Sequence, residues 1–159
     1  MIDRQKIIPC LWFNFNAEEA VNHYLSIFRN ARILETTHYG DAVPSLKGKV
    51  LTILFELEGQ QFQALNAGPQ FPFTEAISLS VDCADQQEVD RLWAALSAGG
   101  STSQCSWLKD KFGLSWQIVP RRLMELLTDP DKDKAARVMQ AMMQMTKIDL
   151  AKIEQAARQ

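Results

Sequence analysis

The sequence lacks the long apolar runs and the clustered positive charge that indicate a membrane or a nucleic-acid partner. Hydrophobic residues make up 47% of the 159 residues, but no run approaches the roughly 20 apolar residues of a membrane-spanning helix. The formal net charge is −2 and no long basic block occurs, whereas nucleic-acid binding usually needs a clustered cationic surface. We therefore expect neither partner.

Cysteine is scarce and its spacing is uninformative for metal or disulfide chemistry. The chain has three cysteines, Cys10, Cys83 and Cys105, which is an odd number, and none has C-x-x-C spacing. This fits free thiols better than a disulfide framework. Residues 1–6 lead directly into an apolar run and contain no signal-peptide core. We therefore expect a cytoplasmic protein made of one globular domain or two small fused modules.

A glycine-rich phosphate-binding loop is also absent. The first predicted strand is followed by Asn14-Phe15-Asn16, and no G-x-G-x-x-G motif occurs. A typical methyltransferase that uses S-adenosylmethionine has a parallel Rossmann-like sheet with such a loop after its first strand. The residues therefore give no support to methyl transfer.

The predicted elements instead repeat one order, namely strand, helix and three strands. The first set comprises a strand at 7–13, a helix at 17–29 and strands at 32–39, 50–58 and 61–66. The second comprises a strand at 76–82, a helix at 85–98 and strands at 101–105, 106–108 and 115–119. An overlay that places Phe13 on Val81 matches the two sets in pattern. The sequence thus predicts an α+β fold of two tandem βαβββ modules, whose concave mixed sheets share a cavity.

The last 39 residues, 121–159, differ from both modules. Residues 121–127, 131–145 and 149–157 are predicted helices. Four methionines, Met139, Met142, Met143 and Met145, lie in this tail. We expect them to pack against the sheets or a partner chain, with a flexible ligand surface as the alternative.

The segment from Cys105 to Pro120 carries the strongest functional signal. It contains a predicted turn at 109–113 and a strand at 115–119. Alternation along that strand places Gln117 on one face and Trp116 on the other. A polar amide in an apolar strand faces water or lines a pocket. We expect Gln117 to line a pocket and Trp116 and Trp93 to lie in the core. We expect the turn residues 109–111 to be solvated, with a rim over the cavity as the alternative.

Six residues form the predicted ligand-binding set. They combine aromatic walls with neutral polar anchors and one thiol, a composition that suits a small planar or apolar ligand. The set is Cys10, Trp12, Asn66, Ser78, Trp107 and Gln117.

Several motifs together resemble a known family. They are Pro9-Cys10-Leu11-Trp12-Phe13, Ala17-Glu18-Glu19-Ala20-Val21, Leu65-Asn66-Ala67-Gly68-Pro69, Asp90-Arg91-Leu92-Trp93 and the segment 105–120. The sequence resembles the PhnB-like branch of the glyoxalase/bleomycin-resistance/dioxygenase (vicinal oxygen chelate) superfamily, whose members are often labelled 3-demethylubiquinone-9 3-methyltransferase. The resemblance covers about residues 5–120. It implies paired βαβββ modules and a homodimer. We place the modules at 1–68 and 71–120 within a domain at 1–120, followed by a helical tail at 121–159 that lies outside the resemblance.

The resemblance also frames the question of a metal. Metal enzymes of the superfamily hold a divalent ion with histidine and glutamate or glutamine from inward strand positions. The last-strand glutamate follows an Asp-x-x-Gly turn, and Gln117 occupies its place here after Asp110 and Gly113. The two histidines, His23 and His38, lie outside the strands that usually supply ligands. We therefore expect no metal and no other cofactor, with a divalent ion as the alternative.

Three functions remain open from the sequence. The favoured one is a small-molecule-binding protein with a metal-free pocket. The second is an enzyme, either metal-dependent or assisted by a thiol such as Cys10 or Cys105, although free cysteines are more often small buried apolar residues. The third is an interaction module whose tail, 121–159, docks a partner. No catalytic residue can be assigned from the sequence.

Overall fold

Both halves of the chain fold into the predicted order of one strand, one helix and three strands. A computed structural model describes residues Met1–Gln159, which divide into two units, Met1–Pro72 and Phe73–Gln159. The first unit contains β1 (Cys10–Phe13), α1 (Ala17–Ile27), β2 (Ala31–His38), a 3-10 turn (Pro44–Leu46), β3 (Val50–Leu57) and β4 (Gln60–Asn66). The second contains β5 (Ser78–Cys83), α2 (Gln86–Ser97), β6 (Ser101–Thr102), β7 (Trp107–Lys109), β8 (Ser115–Pro120), α3 (Arg121–Leu127), α4 (Lys132–Met143) and α5 (Leu150–Arg158).

The two sheets share one topology. Their strand orders are β1-β4-β3-β2 and β5-β8-β7-β6. In each sheet the first strand pairs in parallel with the last strand of its module, and the other pairs are antiparallel. These mixed, open sheets confirm the predicted α+β fold of tandem βαβββ modules. They differ from the all-parallel, doubly wound sheet that a Rossmann-type methyltransferase requires.

The first strand is shorter than the sequence suggests. It begins at Cys10 rather than at residue 7, and the Ile7 side chain is exposed. Pro9 has no backbone N–H to donate, although its carbonyl accepts a hydrogen bond from Gln63 N at 2.9 Å. Regular pairing with β4 therefore starts one residue later.

Each module helix covers one face of its own sheet. In α1 the buried residues Ala17, Ala20, Val21, Tyr24 and Ile27 recur at helical spacing. In α2 they are Val89, Leu92 and Leu96, and Asp85 caps the helix by accepting a hydrogen bond from Glu88 N at 2.9 Å. The opposite face of each sheet carries Trp12 in the first unit and Ser78, Trp107 and Gln117 in the second.

The tail helices build an apolar core of their own against the end of β8. Its buried members are Val119, Leu123, Leu126, Val138, Ile148, Ile153 and Ala157. Met142 and Met145 pack against this cluster, whereas Met139 and Met143 are exposed. The tail forms one compact unit with the second module, Phe73–Gln159. The domain boundary at residue 121 stays a prediction. Each helix is too short or too polar to span a lipid bilayer.

Candidate functional site

One face of the second sheet brings together three of the six predicted ligand residues. The register aligns Gln117 with Ser80 of β5 and with Trp107 of β7. Gln117 Nε2 also donates a hydrogen bond to Ser78 Oγ at 2.9 Å. Residues aligned across a sheet project from the same face. Ser78, Trp107 and Gln117 therefore lie on one face of the sheet, which we call the Gln117 face.

All three of these residues are half-buried. The bond to Ser78 engages one N–H of the Gln117 amide and leaves its carbonyl oxygen and second N–H available to a ligand. Ser115 lies on the same face, and its hydroxyl is buried without a hydrogen-bond partner. The opposite face contains Trp116, which is buried as predicted, while Trp93 on α2 is half-buried.

Lys109 adds a positive charge to this face, whereas the favoured prediction placed it in a solvated turn. It is the last residue of β7, two positions after Trp107, and its register partner is Ser115. Its ammonium pairs with the Glu75 carboxylate, and that hydrogen bond is the main reason that the pKa of Glu75 lies below its usual range. Lys109 is thus a strand residue rather than part of a solvated turn.

Asp110 corrects the same prediction more sharply. Its side chain is only 2% exposed. Oδ1 accepts the backbone N–H groups of Phe112 and Leu114, and Oδ2 accepts the indole N–H of Trp116 at 2.9 Å. An aspartate at the start of a turn can accept a hydrogen bond from an amide two residues later, and this signal was present in Asp110-x-x-Gly113. The buried Asp110 carboxylate therefore holds the turn through these three hydrogen bonds.

Cys10 and Trp12 lie together on the corresponding face of the first sheet. Trp12 is half-buried, donates its indole N–H to Gly68 O at 2.9 Å and meets the Phe71 ring edge-on at a centroid distance of 4.9 Å. Cys10 is exposed. Trp12 thus offers an aromatic surface, while its only polar atom is held by the fold.

Asn66, the third predicted residue of the first unit, lies on the helix side of the same sheet. The register pairs it with buried Phe13 rather than with Trp12. Its Oδ1 accepts Ala17 N at 3.0 Å, and its Nδ2 donates to Glu18 Oε1 at 2.7 Å and to Val50 O at 3.1 Å. The side chain is 2% exposed. These contacts join the start of α1 to the sheet and separate Asn66 from the other predicted residues.

The side chains do not form a metal site of the kind that the metal enzymes of the superfamily use. No three histidine, cysteine, aspartate or glutamate side chains come together to hold an ion. His23 lies in α1 and His38 at the end of β2, and Gln117 bonds to Ser78. A neutral amide without acidic or imidazole partners is a poor ligand set for a divalent ion. The residues present do not fit a bound metal.

The three thiols differ in exposure. Cys83 is fully buried, and this burial is the main cause that raises its pKa to about 12. Cys10 is exposed and Cys105 is half-buried, so the expectation of buried thiols is confirmed only for Cys83. All three are free.

Comparison with known proteins places this geometry in a family. The model of the family described as 3-demethylubiquinone-9 3-methyltransferase matches residues 5–119. The structure of the PhnB protein from Bacillus cereus is similar, with 34% identity over 73% of this chain and 99% of that chain and a TM-score of 0.66. No curated protein matches.

More distant structures share the fold. Protein PA1353 from Pseudomonas aeruginosa is 23% identical over 74% of this chain and 98% of its own, with a TM-score of 0.60. The fosfomycin resistance protein FosX from Listeria monocytogenes is 18% identical over 81% of this chain and 100% of its own, with a TM-score of 0.50. With the family match over most of its length, the chain belongs to the 3-demethylubiquinone-9 3-methyltransferase family of PhnB-like proteins.

Proposed function

We propose that this PhnB-like protein binds a small organic acid with a planar ring, reversibly and without a metal, on the Gln117 face. The observation that carries the proposal is the hydrogen-bonded Gln117–Ser78 pair directly beside the half-buried Trp107 ring. Polar anchors beside an aromatic wall are the usual composition of a small-molecule site.

The planar part of the ligand follows from Trp107. An indole ring offers a large flat surface that favours stacked or edge-on aromatic contacts. Its register partner, Gln117, presents a free carbonyl oxygen and N–H at the same level of the sheet. A ring that rests on Trp107 can therefore place one polar substituent on this amide.

The acidic group follows from Lys109. Its ammonium is on the same face and is paired with Glu75, whose side chain is 61% exposed. An exposed ion pair contributes little to stability, so exchange of the Glu75 carboxylate for that of a ligand costs little. This exchange would favour acids over their neutral analogues.

The proposal also covers the metal content, the oligomeric state and the cellular location of the protein. A pocket without a metal is supported by the lack of a group of acidic, thiol and imidazole side chains around Gln117. A homodimer is proposed from the family resemblance. A cytoplasmic location is proposed because all three thiols are free.

Binding can be tested with defined probes rather than with the unknown ligand. Isothermal titration of the EDTA-treated protein with benzoate, phenylphosphonate and neutral benzamide should show saturable binding of the acids and at least about tenfold weaker binding of benzamide. Gln117→Ala should weaken benzoate binding about tenfold, since it loses a buried hydrogen-bonding group worth about 1–1.5 kcal/mol.

Two comparisons complete this test. Gln140→Ala removes an exposed glutamine of α4 and should bind benzoate like the unmodified protein. The proposal fails if neither acid binds, or if both glutamine variants bind benzoate equally well. Binding that appears only after addition of Mn²⁺ or Zn²⁺ would overturn its metal-free part.

A further inference from the structure

Two consecutive residues just before Trp107 have a strained backbone. Cys105 and Ser106 adopt φ angles of +56° and +78°, a left-handed conformation that is unfavourable for residues with a Cβ atom. Ser106 is also almost fully buried. Such a conformation persists only where surrounding contacts fix it.

Two of the hydrogen bonds that hold this turn come from the helical tail. Cys105 N donates to Met145 O and Ser106 N donates to Thr146 O, each at 2.8 Å. Both acceptors belong to residues 145–150, which join α4 to the start of α5. We call residues 145–150 the strap.

The strap is held on its other side by the first turns of α2. Gln86 Nε2 donates to Ile148 O at 2.9 Å, and Gln86 Oε1 accepts Leu150 N at 2.7 Å. Asp90 accepts hydrogen bonds from Gln86 Nε2 at 2.9 Å and pairs with Lys147 Nζ at 2.8 Å. One glutamine side chain thus clamps the strap backbone at two points.

The strained turn leads directly into the Gln117 face. Ser106 O accepts Ile118 N at 3.0 Å, and the next residue, Trp107, begins β7 opposite Gln117. A change in the backbone at residues 105–106 would therefore move the first residue of β7. The chain of contacts runs from Gln86 through the strap and the turn to Trp107.

We propose that the strap, clamped by Gln86, holds the strained turn and thereby sets the position of Trp107 on the Gln117 face. Gln86 is a positioning residue, since it acts on Trp107 only through the strap. The strap lies beyond the residues that the family model matches, so it is an addition of the tail to the shared module. Its effect on ligand affinity rests on the proposed function, whereas its effect on Trp107 does not.

The position of Trp107 can be followed directly by ¹⁹F NMR. Protein labelled with 5-fluorotryptophan has four tryptophan signals, and Trp107→Phe identifies the signal of Trp107. Gln86→Ala removes both clamping hydrogen bonds and should shift or broaden the Trp107 signal while the signal of buried Trp116 stays in place. Gln87→Ala, an exposed neighbour in α2, is the matched control and should leave all four signals unchanged.

A glycine variant separates positioning from general loosening. Glycine tolerates a positive φ, so Cys105→Gly removes part of the strain that the strap must hold. Combined with Gln86→Ala, it should return the Trp107 signal toward its original position. An unchanged Trp107 signal in Gln86→Ala would overturn the proposal, as would equal changes in all four signals without recovery in the double variant.

Benzoate affinity then distinguishes the two proposals. Gln86→Ala should bind benzoate several-fold more weakly than Gln87→Ala if the Gln117 face is the ligand site. A selective change at Trp107 in a protein that binds no probe acid supports the strap and overturns the proposed function. Unaltered Trp107 signals in a protein that binds benzoate overturn the strap alone.

Discussion

Trp116 donates its indole N–H to Asp110 Oδ2 across 2.9 Å, and both side chains are almost fully buried. The other oxygen of the same carboxylate accepts the amides of Phe112 and Leu114. One aspartate therefore shapes the turn between β7 and β8 and ties it to the core of the second unit. Because these strands carry Trp107, Lys109 and the Gln117 face, the turn also supports the proposed site.

Replacement of Asp110 should destabilise the protein strongly. Asp110→Ala leaves a buried indole N–H and two turn amides without their acceptor, which should lower the free energy of unfolding by about 2–4 kcal/mol. Asp110→Asn should cost less, since its amide oxygen can still accept a hydrogen bond. Urea unfolding followed by circular dichroism measures both.

An exposed aspartate provides the control for this measurement. Asp41 pairs with Lys47, and its side chain is 88% exposed, so Asp41→Ala should change the free energy of unfolding by less than about 0.5 kcal/mol. Equal losses in Asp41→Ala and Asp110→Ala would contradict the anchoring role of Asp110.

Asn66 should matter for folding, although Asn16 occupies the capping position of α1. The Asn16 side chain makes no capping hydrogen bond, and its Oδ1 is buried without a partner. Asn66 instead accepts Ala17 N and donates to Glu18 and Val50. Asn66→Ala should lower the free energy of unfolding by about 2–3 kcal/mol, and Asn16→Ala by less than about 0.5 kcal/mol. Urea unfolding of both variants tests this order, and the reverse order would refute it.

Asn66 and Asp110 show what local sequence patterns can and cannot predict. Alternation and helical spacing depend on neighbours in sequence, so they predicted the order of strands and helices in both modules and the opposite faces of Gln117 and Trp116. The position of Asn66 depends on its register with Phe13. That register is set by pairing between strands that are far apart in the chain.

Burial of charge was the other feature that local patterns missed. Asp110 lies between two lysines, which favours a solvated turn, yet its carboxylate is enclosed because Trp116, six residues away, turns its indole N–H toward it. The strap is similar, since its hydrogen bonds join residues that are 40 positions apart, such as Cys105 and Met145. A backbone carbonyl can accept a hydrogen bond whatever its side chain is, so the sequence does not indicate these contacts.

The ion pair on the Gln117 face predicts a measurable titration. Lys109 lowers the pKa of Glu75 chiefly by donating a hydrogen bond to it. A lowered carboxyl pKa stabilises the fold above the unfolded-state pKa, and this stabilisation is lost as the pH falls through the folded-state pKa. Lys109→Met removes this hydrogen bond and should raise the pKa of Glu75 toward its ordinary value.

Carboxyl ¹³C NMR between about pH 2 and 7 measures the pKa of Glu75, with Lys47→Met as the control. An unmoved Glu75 titration in Lys109→Met would exclude the pairing.

Cys83 should make the protein less stable at alkaline pH. Burial, assisted by the charges of Glu88 and Asp82, raises the pKa of its thiol from 9.0 to about 12. The unfolded chain ionises this thiol near pH 9 and the folded chain does not, so the stabilisation is complete below pH 9 and is lost between pH 9 and about 12.

From about pH 8 to pH 10.5, the free energy of unfolding of the unmodified protein should fall by about 2 kcal/mol more than that of Cys83→Ala. The cavity left by alanine lowers stability equally at both pH values, so only the difference in slope reports ionisation. Urea unfolding at the two pH values measures that slope, and parallel losses in both proteins would show that the Cys83 thiol ionises as easily in the folded chain as in the unfolded one.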